Sequence, residues 1–139
     1  MKKIFAPLVA IAALSAAVNV SAAPTVVALT ANTYVPLAAA AVNSSVDYSL
    51  TAVLARAGFV KNDLLVTTSA NVLVGVQDQT VRFGVVAGSN KGRNVFTGTS
   101  DGGSVTQCGA STSGTTFANT LVVAGTLQMN GTIQNGCAR

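Results

Sequence analysis

The chain has 139 residues and a formal net charge of +4, with 9% charged and 50% hydrophobic residues. This length is typical of one domain, and the apolar, charge-poor composition excludes a disordered chain, which combines low hydrophobicity with high charge. Nucleic acid is excluded as a partner because binding it requires clustered Lys and Arg, and the basic residues after position 22 are scattered.

Residues 1–22 have the three parts of a Sec signal peptide. Lys2 and Lys3 come first, an apolar run covers 4–18, and small residues around Ala22 form a cleavage site. The run is too short and too rich in alanine for a membrane span, which needs about 20 predominantly apolar residues. We therefore expect a mature domain over 23–139 with no transmembrane span, located in the periplasm, on the cell surface or outside the cell.

Residues 24–37 have the alternation of an extended strand. The apolar side chains that would share one face are Val27, Leu29, Ala31, Val35 and Leu37. Two interpretations remain open. The segment is either the first strand of its own domain or an arm that pairs with the open sheet edge of a neighbouring molecule.

Residues 45–57 predict a short amphipathic helix. Val46, Leu50 and Val53 have helical spacing, a serine can cap the start, and Gly58 follows where a helix C-cap belongs. A strand is the alternative, because apolar residues also alternate between positions 46 and 54.

The remaining chain is rich in Val and Thr, which favour strands, and in Gly, Asn and Ser, which favour turns. It predicts a series of short strands separated by turns, at 64–68, 72–76, 80–86, 94–97, 115–124 and 126–134. The expected fold is therefore mainly β, a small single-domain β-sandwich or partly open barrel with one short helix near 45–57.

The two cysteines, Cys108 and Cys137, predict a disulfide, because an even pair in an exported chain is usually oxidised. Two thiols without any histidine supply too few ligands for a metal site. A redox role is not expected either, since the C-x-x-C spacing is missing.

One match to a catalytic motif occurs, G-x-S-x-G at positions 98–102 around Ser100. The chemistry of that motif requires a histidine to accept the serine proton, and the chain contains none. We expect no enzymatic activity, no catalytic residue, no bound metal and no cofactor.

These features predict a non-enzymatic, exported structural or surface protein that associates with itself or with other surface proteins. A fimbria-like or filament subunit that assembles through β-strand pairing fits the low charge and the long alternating N-terminal segment. The alternative is a small periplasmic or secreted binding module. Its candidate surface is the loop region 88–104, which carries Lys91, Arg93 and Asp101.

Overall fold

The computed structural model describes residues 23–37, 44–110 and 121–137, so the predicted signal peptide lies outside the described residues. As expected, the fold is mainly β, with eight described strands in two sheets that do not close into a barrel. The strands are β1 Thr25–Ala28, β2 Tyr34–Pro36, β3 Val46–Thr51, β4 Leu64–Thr68, β5 Val72–Asp78, β6 Phe83–Ser89, β7 Val95–Thr99 and β8 Thr106–Gln107.

The two sheets have different widths. Sheet A contains three strands in the order β1-β3-β4, with β1 parallel to β3 and β4 antiparallel to it. Sheet B contains five strands in the order β2-β5-β6-β7-β8, and all of its neighbouring strands are antiparallel. This difference in width determines where the candidate site lies.

Sheet B is the middle layer, and each of its faces carries a hydrophobic core. The face toward sheet A contributes Val74 and Val76, which pack with Tyr48 and Leu50 of β3. On the opposite face lies a second cluster that joins sheet B to the C-terminal residues 121–137. Its buried members are Leu73, Val86, Val95, Leu121, Val122, Leu127 and Met129.

The helix predicted over 45–57 is wrong, and the alternative strand is present as β3. Tyr48 and Leu50 both point into the core, and β3 is the central strand of sheet A. Pairing with two neighbours and the burial of alternate residues outweigh the helical spacing. A short 3-10 turn, Leu54–Arg56, follows, and Ala55 and Arg56 have φ angles of 57° and 56° that no α-helix contains.

The N-terminal segment 24–37 forms two strands rather than one. Its predicted inward face is present, since the odd-numbered apolar residues from Val27 to Leu37 pack against the core. The chain turns at Asn32, whose φ is 60°, an angle that asparagine tolerates better than most residues. This turn places β1 in sheet A and β2 in sheet B.

The strands predicted between 64 and 97 are present. The first has the predicted bounds, while the others are shifted by up to three residues at an end. The strand predicted at 126–134 is not formed. Ala124–Thr126 is a 3-10 turn, and the following residues run through turns that place Leu127 and Met129 against sheet B. Most of the strand predicted at 115–124 lies outside the described residues.

Candidate functional site: an apolar groove beside β4

An open groove of about 400 Å³ lies where sheet B extends beyond sheet A. β4 is the last strand of sheet A, whereas sheet B continues beyond β6 through β7 and β8. No described strand covers this part of the inner face of sheet B. The groove is therefore a consequence of the unequal strand numbers.

Residues of two neighbouring strands, β6 and β7, form the floor of the groove. Phe83 and Val85 of β6 lie beside Phe96 and Gly98 of β7, and the pairing of Val85 with Gly98 sets the register. Gly98 has no side chain, and Val105, just before β8, packs over that position. The floor is thus apolar, and Val105 covers the position where Gly98 has no side chain.

One wall of the groove is β4, which contributes Leu64. The inner edge of β4 pairs with β3, and no described strand pairs with its outer edge. An unpaired edge offers a row of backbone N–H and C=O groups to another strand. The wall can therefore form main-chain hydrogen bonds as well as apolar contacts.

The rim of the groove, Phe59 and Val60, is attached to sheet B by a buried carboxylate. Asp78 is 0% exposed, and its Oδ1 accepts hydrogen bonds from the Phe59 amide at 2.8 Å and the Val60 amide at 3.3 Å. The Phe59 amide also donates to the Gln79 carbonyl at 2.6 Å. A side chain at Gly58 would overlap the Asp78 carboxylate, so the close approach requires glycine here.

The groove exposes large apolar side chains to solvent. Phe59 and Phe96 are each 43% exposed, and Val105 is 73% exposed. None of the described residues that line the groove is charged. Contiguous exposed apolar surface of this kind is typical of association or ligand sites.

The residues predicted for a binding loop are not brought together. Lys91 and Arg93 lie in the turn between β6 and β7, whereas Asp101 follows β7 at the other end of that hairpin. Asp101 forms an ion pair with Arg82, with 3.2 Å between Oδ2 and Nε. Strand β7 itself occupies the middle of the region 88–104.

Ser100 has a structural role at the end of the β6–β7 pair. Its hydroxyl oxygen accepts a hydrogen bond from the Phe83 amide at 2.9 Å, and its own amide donates to the Phe83 carbonyl at 2.8 Å. Within the described part of the chain, no three Cys, Asp or Glu side chains are grouped as metal ligands.

The predicted disulfide between Cys108 and Cys137 is present. It joins the end of β8 to the C-terminal segment that covers the outer face of sheet B. A disulfide suits an oxidising environment.

The predicted assembly residues lie on the other side of the molecule from the groove, as seen in the strand order of sheet A. β1 is paired with β3 of its own chain, and β2 with β5. Val27, Leu29, Ala31, Val35 and Leu37 all pack against the core between the sheets. Their donation to a neighbour stays a prediction.

Sequence reasoning did not identify Phe59, Phe96 and Val105 as site residues. Phe96 lies within β7 and Val105 just before β8, and in the sequence both resemble the apolar residues of ordinary core strands. In the described residues, no helix has the length and hydrophobicity needed to cross a membrane.

Comparisons with protein-family models, curated proteins and solved structures found no match to this chain.

Proposed function

We propose that this chain is a non-enzymatic, exported structural protein that assembles with other molecules through the open side of its sandwich, as a fimbria-like or filament subunit does. The observation that carries this proposal is the apolar groove beside the outer edge of β4, with which no described strand pairs. An edge provides main-chain hydrogen bonds to an added strand, and a groove provides space for its alternate side chains.

The charge distribution supports association between identical molecules. The described lining of the groove is uncharged, so two copies meet there without electrostatic repulsion. The low charged fraction of the whole chain, 9%, has the same effect on the remaining surface.

Export is supported by two independent features. Residues 1–22 have the composition of a cleaved signal peptide, and Cys108 forms a disulfide with Cys137. Both features fit a protein that works outside the cytoplasm.

The proposal is tested by measuring molar mass against concentration with light scattering or sedimentation. We expect the mass of the purified protein to rise with concentration and the Val105→Lys variant to remain monomeric, because it places a charge in the groove. Leu54→Lys is the matched control, since Leu54 is 91% exposed on the Leu54–Arg56 turn and does not line the groove. A wild-type protein that stays monomeric at all accessible concentrations would overturn the proposal.

A binding module is the second candidate, and the groove itself favours it. Its volume of about 400 Å³ and its three phenylalanines, Phe59, Phe83 and Phe96, suit a small apolar ligand. Saturable binding of a naphthalene-sulfonate dye to a strictly monomeric protein, lost in Val105→Lys, would favour this candidate over self-assembly.

A further inference from the structure

We infer that Asn130 is a site of spontaneous covalent modification, where the side-chain amide becomes a carboxylate, and that the fold protects Asn135 from the same reaction. This inference goes beyond the proposed function and does not depend on it. Asparagine followed by glycine is especially prone to this reaction, because glycine has no side chain to hinder approach to its amide nitrogen. The sequence contains two such pairs, Asn130-Gly131 and Asn135-Gly136.

The reaction requires only water as a co-reactant. The Gly131 amide nitrogen loses its proton to solvent and attacks Cγ of Asn130, which forms the N–Cγ bond of a cyclic succinimide. The Cγ–Nδ2 bond breaks, and the side-chain nitrogen takes a proton from solvent and leaves as ammonia. Water then opens the ring. Cleavage of the N–Cγ bond gives aspartate, and cleavage of the main-chain bond to Gly131 gives isoaspartate.

At Asn130 the attacking nitrogen is available. Asn130 and Gly131 are both exposed, and the Gly131 amide donates to no acceptor among the described residues. The Thr132 amide donates to Oδ1 of Asn130 at 3.1 Å. Because negative charge develops on this oxygen during the attack, the hydrogen bond stabilises the intermediate.

A positive charge lies beside the same peptide bond. A Cβ atom at Gly131 would be 2.7 Å from Nη2 of Arg82, and Nη1 of Arg82 donates to the Met129 carbonyl at 3.0 Å. The Nε atom pairs with Asp101, so the two terminal nitrogens are the ones directed toward the loop. The guanidinium therefore stabilises negative charge on the Gly131 amide nitrogen.

At Asn135 the fold holds both reacting groups in place. The Gly136 amide donates to the Ile133 carbonyl at 3.1 Å, and Nδ2 of Asn135 donates to the Thr106 hydroxyl at 2.7 Å. Gly136 is also buried. The Cys137 amide donates to Oδ1 of Asn135 at 3.2 Å, so this hydrogen bond is common to both sites and does not distinguish them. The difference between the sites is the occupied Gly136 amide and the anchored side chain.

The test is incubation of the purified protein at mildly alkaline pH, with tandem mass spectrometry to assign the conversion to each asparagine. In the folded protein we expect Asn130 to convert at least about tenfold faster than Asn135, whose two hydrogen bonds must break before the attack. In the reduced, alkylated and urea-denatured chain we expect similar rates at both sites, because the dipeptide is the same and the fold is absent.

Asn130→Gln is the matched control. It keeps an exposed amide, but its longer side chain closes a ring far more slowly, and the unfolding temperature verifies that the variant is folded. The product carboxylate is ionised at neutral pH, and the chain has only four acidic residues, so ion exchange resolves the converted protein. We expect the acidic species to accumulate in the wild type and not in the variant.

Three results would overturn the inference. The first is conversion of Asn135 as fast as Asn130 in the folded protein. The second is no conversion at either site over a period in which the denatured chain reacts. The third is an acidic species that accumulates equally in Asn130→Gln. None of these results bears on assembly, so the proposed function is tested separately by the molar mass.

Discussion

Removing the disulfide with the double substitution Cys108→Ala and Cys137→Ala is expected to lower the free energy of unfolding by about 3.5 kcal/mol. The two cysteines are 29 residues apart, and the chain-entropy cost of closing a loop of that length in the unfolded state has this magnitude. For the predicted mature domain of about 117 residues, the corresponding decrease in unfolding temperature is roughly 14 °C. Alanine is chosen because Cys108 is buried and a serine hydroxyl there would add a desolvation cost.

The assay is urea and thermal unfolding of both proteins, each with and without a reducing agent. Reduction of the wild type is expected to bring its stability to that of the variant, and reduction of the variant to have no effect. Hydrogen exchange then shows where protection is lost first, which we expect in residues 121–137 on the outer face of sheet B. A stability difference below about 1 kcal/mol would refute the loop-entropy reasoning for this chain.

Three further changes test the packing. Gly75→Ala is expected to cost about 1–3 kcal/mol, because the added methyl group overlaps the Tyr34 ring, while Gly125→Ala, with no atom within 4 Å, leaves chemical denaturation unchanged within about 0.5 kcal/mol. Asp78→Ala is expected to cost about 1–3 kcal/mol, because the Val60 amide loses its acceptor and the Phe59 amide keeps only the Gln79 carbonyl, and Asp78→Asn, which keeps an acceptor oxygen, less; equal losses would contradict this. Burial raises the pKa of Tyr34 to about 12, so the unfolded state loses this proton first and stability falls between about pH 10 and pH 12. Tyr34→Phe lacks that decrease, and parallel pH profiles of unfolding in the two proteins would contradict the assignment.

Features that depend on neighbouring residues could be predicted from the sequence. The strand Leu64–Thr68 has the predicted bounds because turn residues flank an apolar run. The inward face of residues 24–37 is also as predicted, because alternation alone determines it. The turn at Asn32 was not predicted, since only the pairing of β1 and β2 with different sheets shows that the chain must bend there.

Residues 45–57 show why the helix prediction failed. Val46 and Leu50 satisfy both a helical and a strand period, so the local pattern does not distinguish the two. The strand is favoured by pairing with β1 and β4, which flank β3 in space. Both of these strands are distant from β3 in the sequence, so they do not affect the hydrophobic pattern of residues 45–57.

The groove could not be predicted because no single segment encodes it. Phe96 and Val105 have the pattern of buried strand residues, and they are exposed only because sheet A ends two strands before sheet B does. The number of strands in each sheet depends on which strands pair across the whole chain. Site prediction from this sequence was therefore limited by topology rather than by residue chemistry.

The edges of the two sheets differ in a way that singles out β4. Natural sheets protect their edges with proline, charge or very short strands. β2 contains Pro36, β1 follows Pro24, and β8 has only two residues. β4 has five residues, Leu-Leu-Val-Thr-Thr, with neither a charge nor a proline. An unprotected edge next to an uncharged apolar groove supports the proposal that another chain pairs there, and the low charged fraction of the sequence, 9%, keeps the repulsion between two copies small.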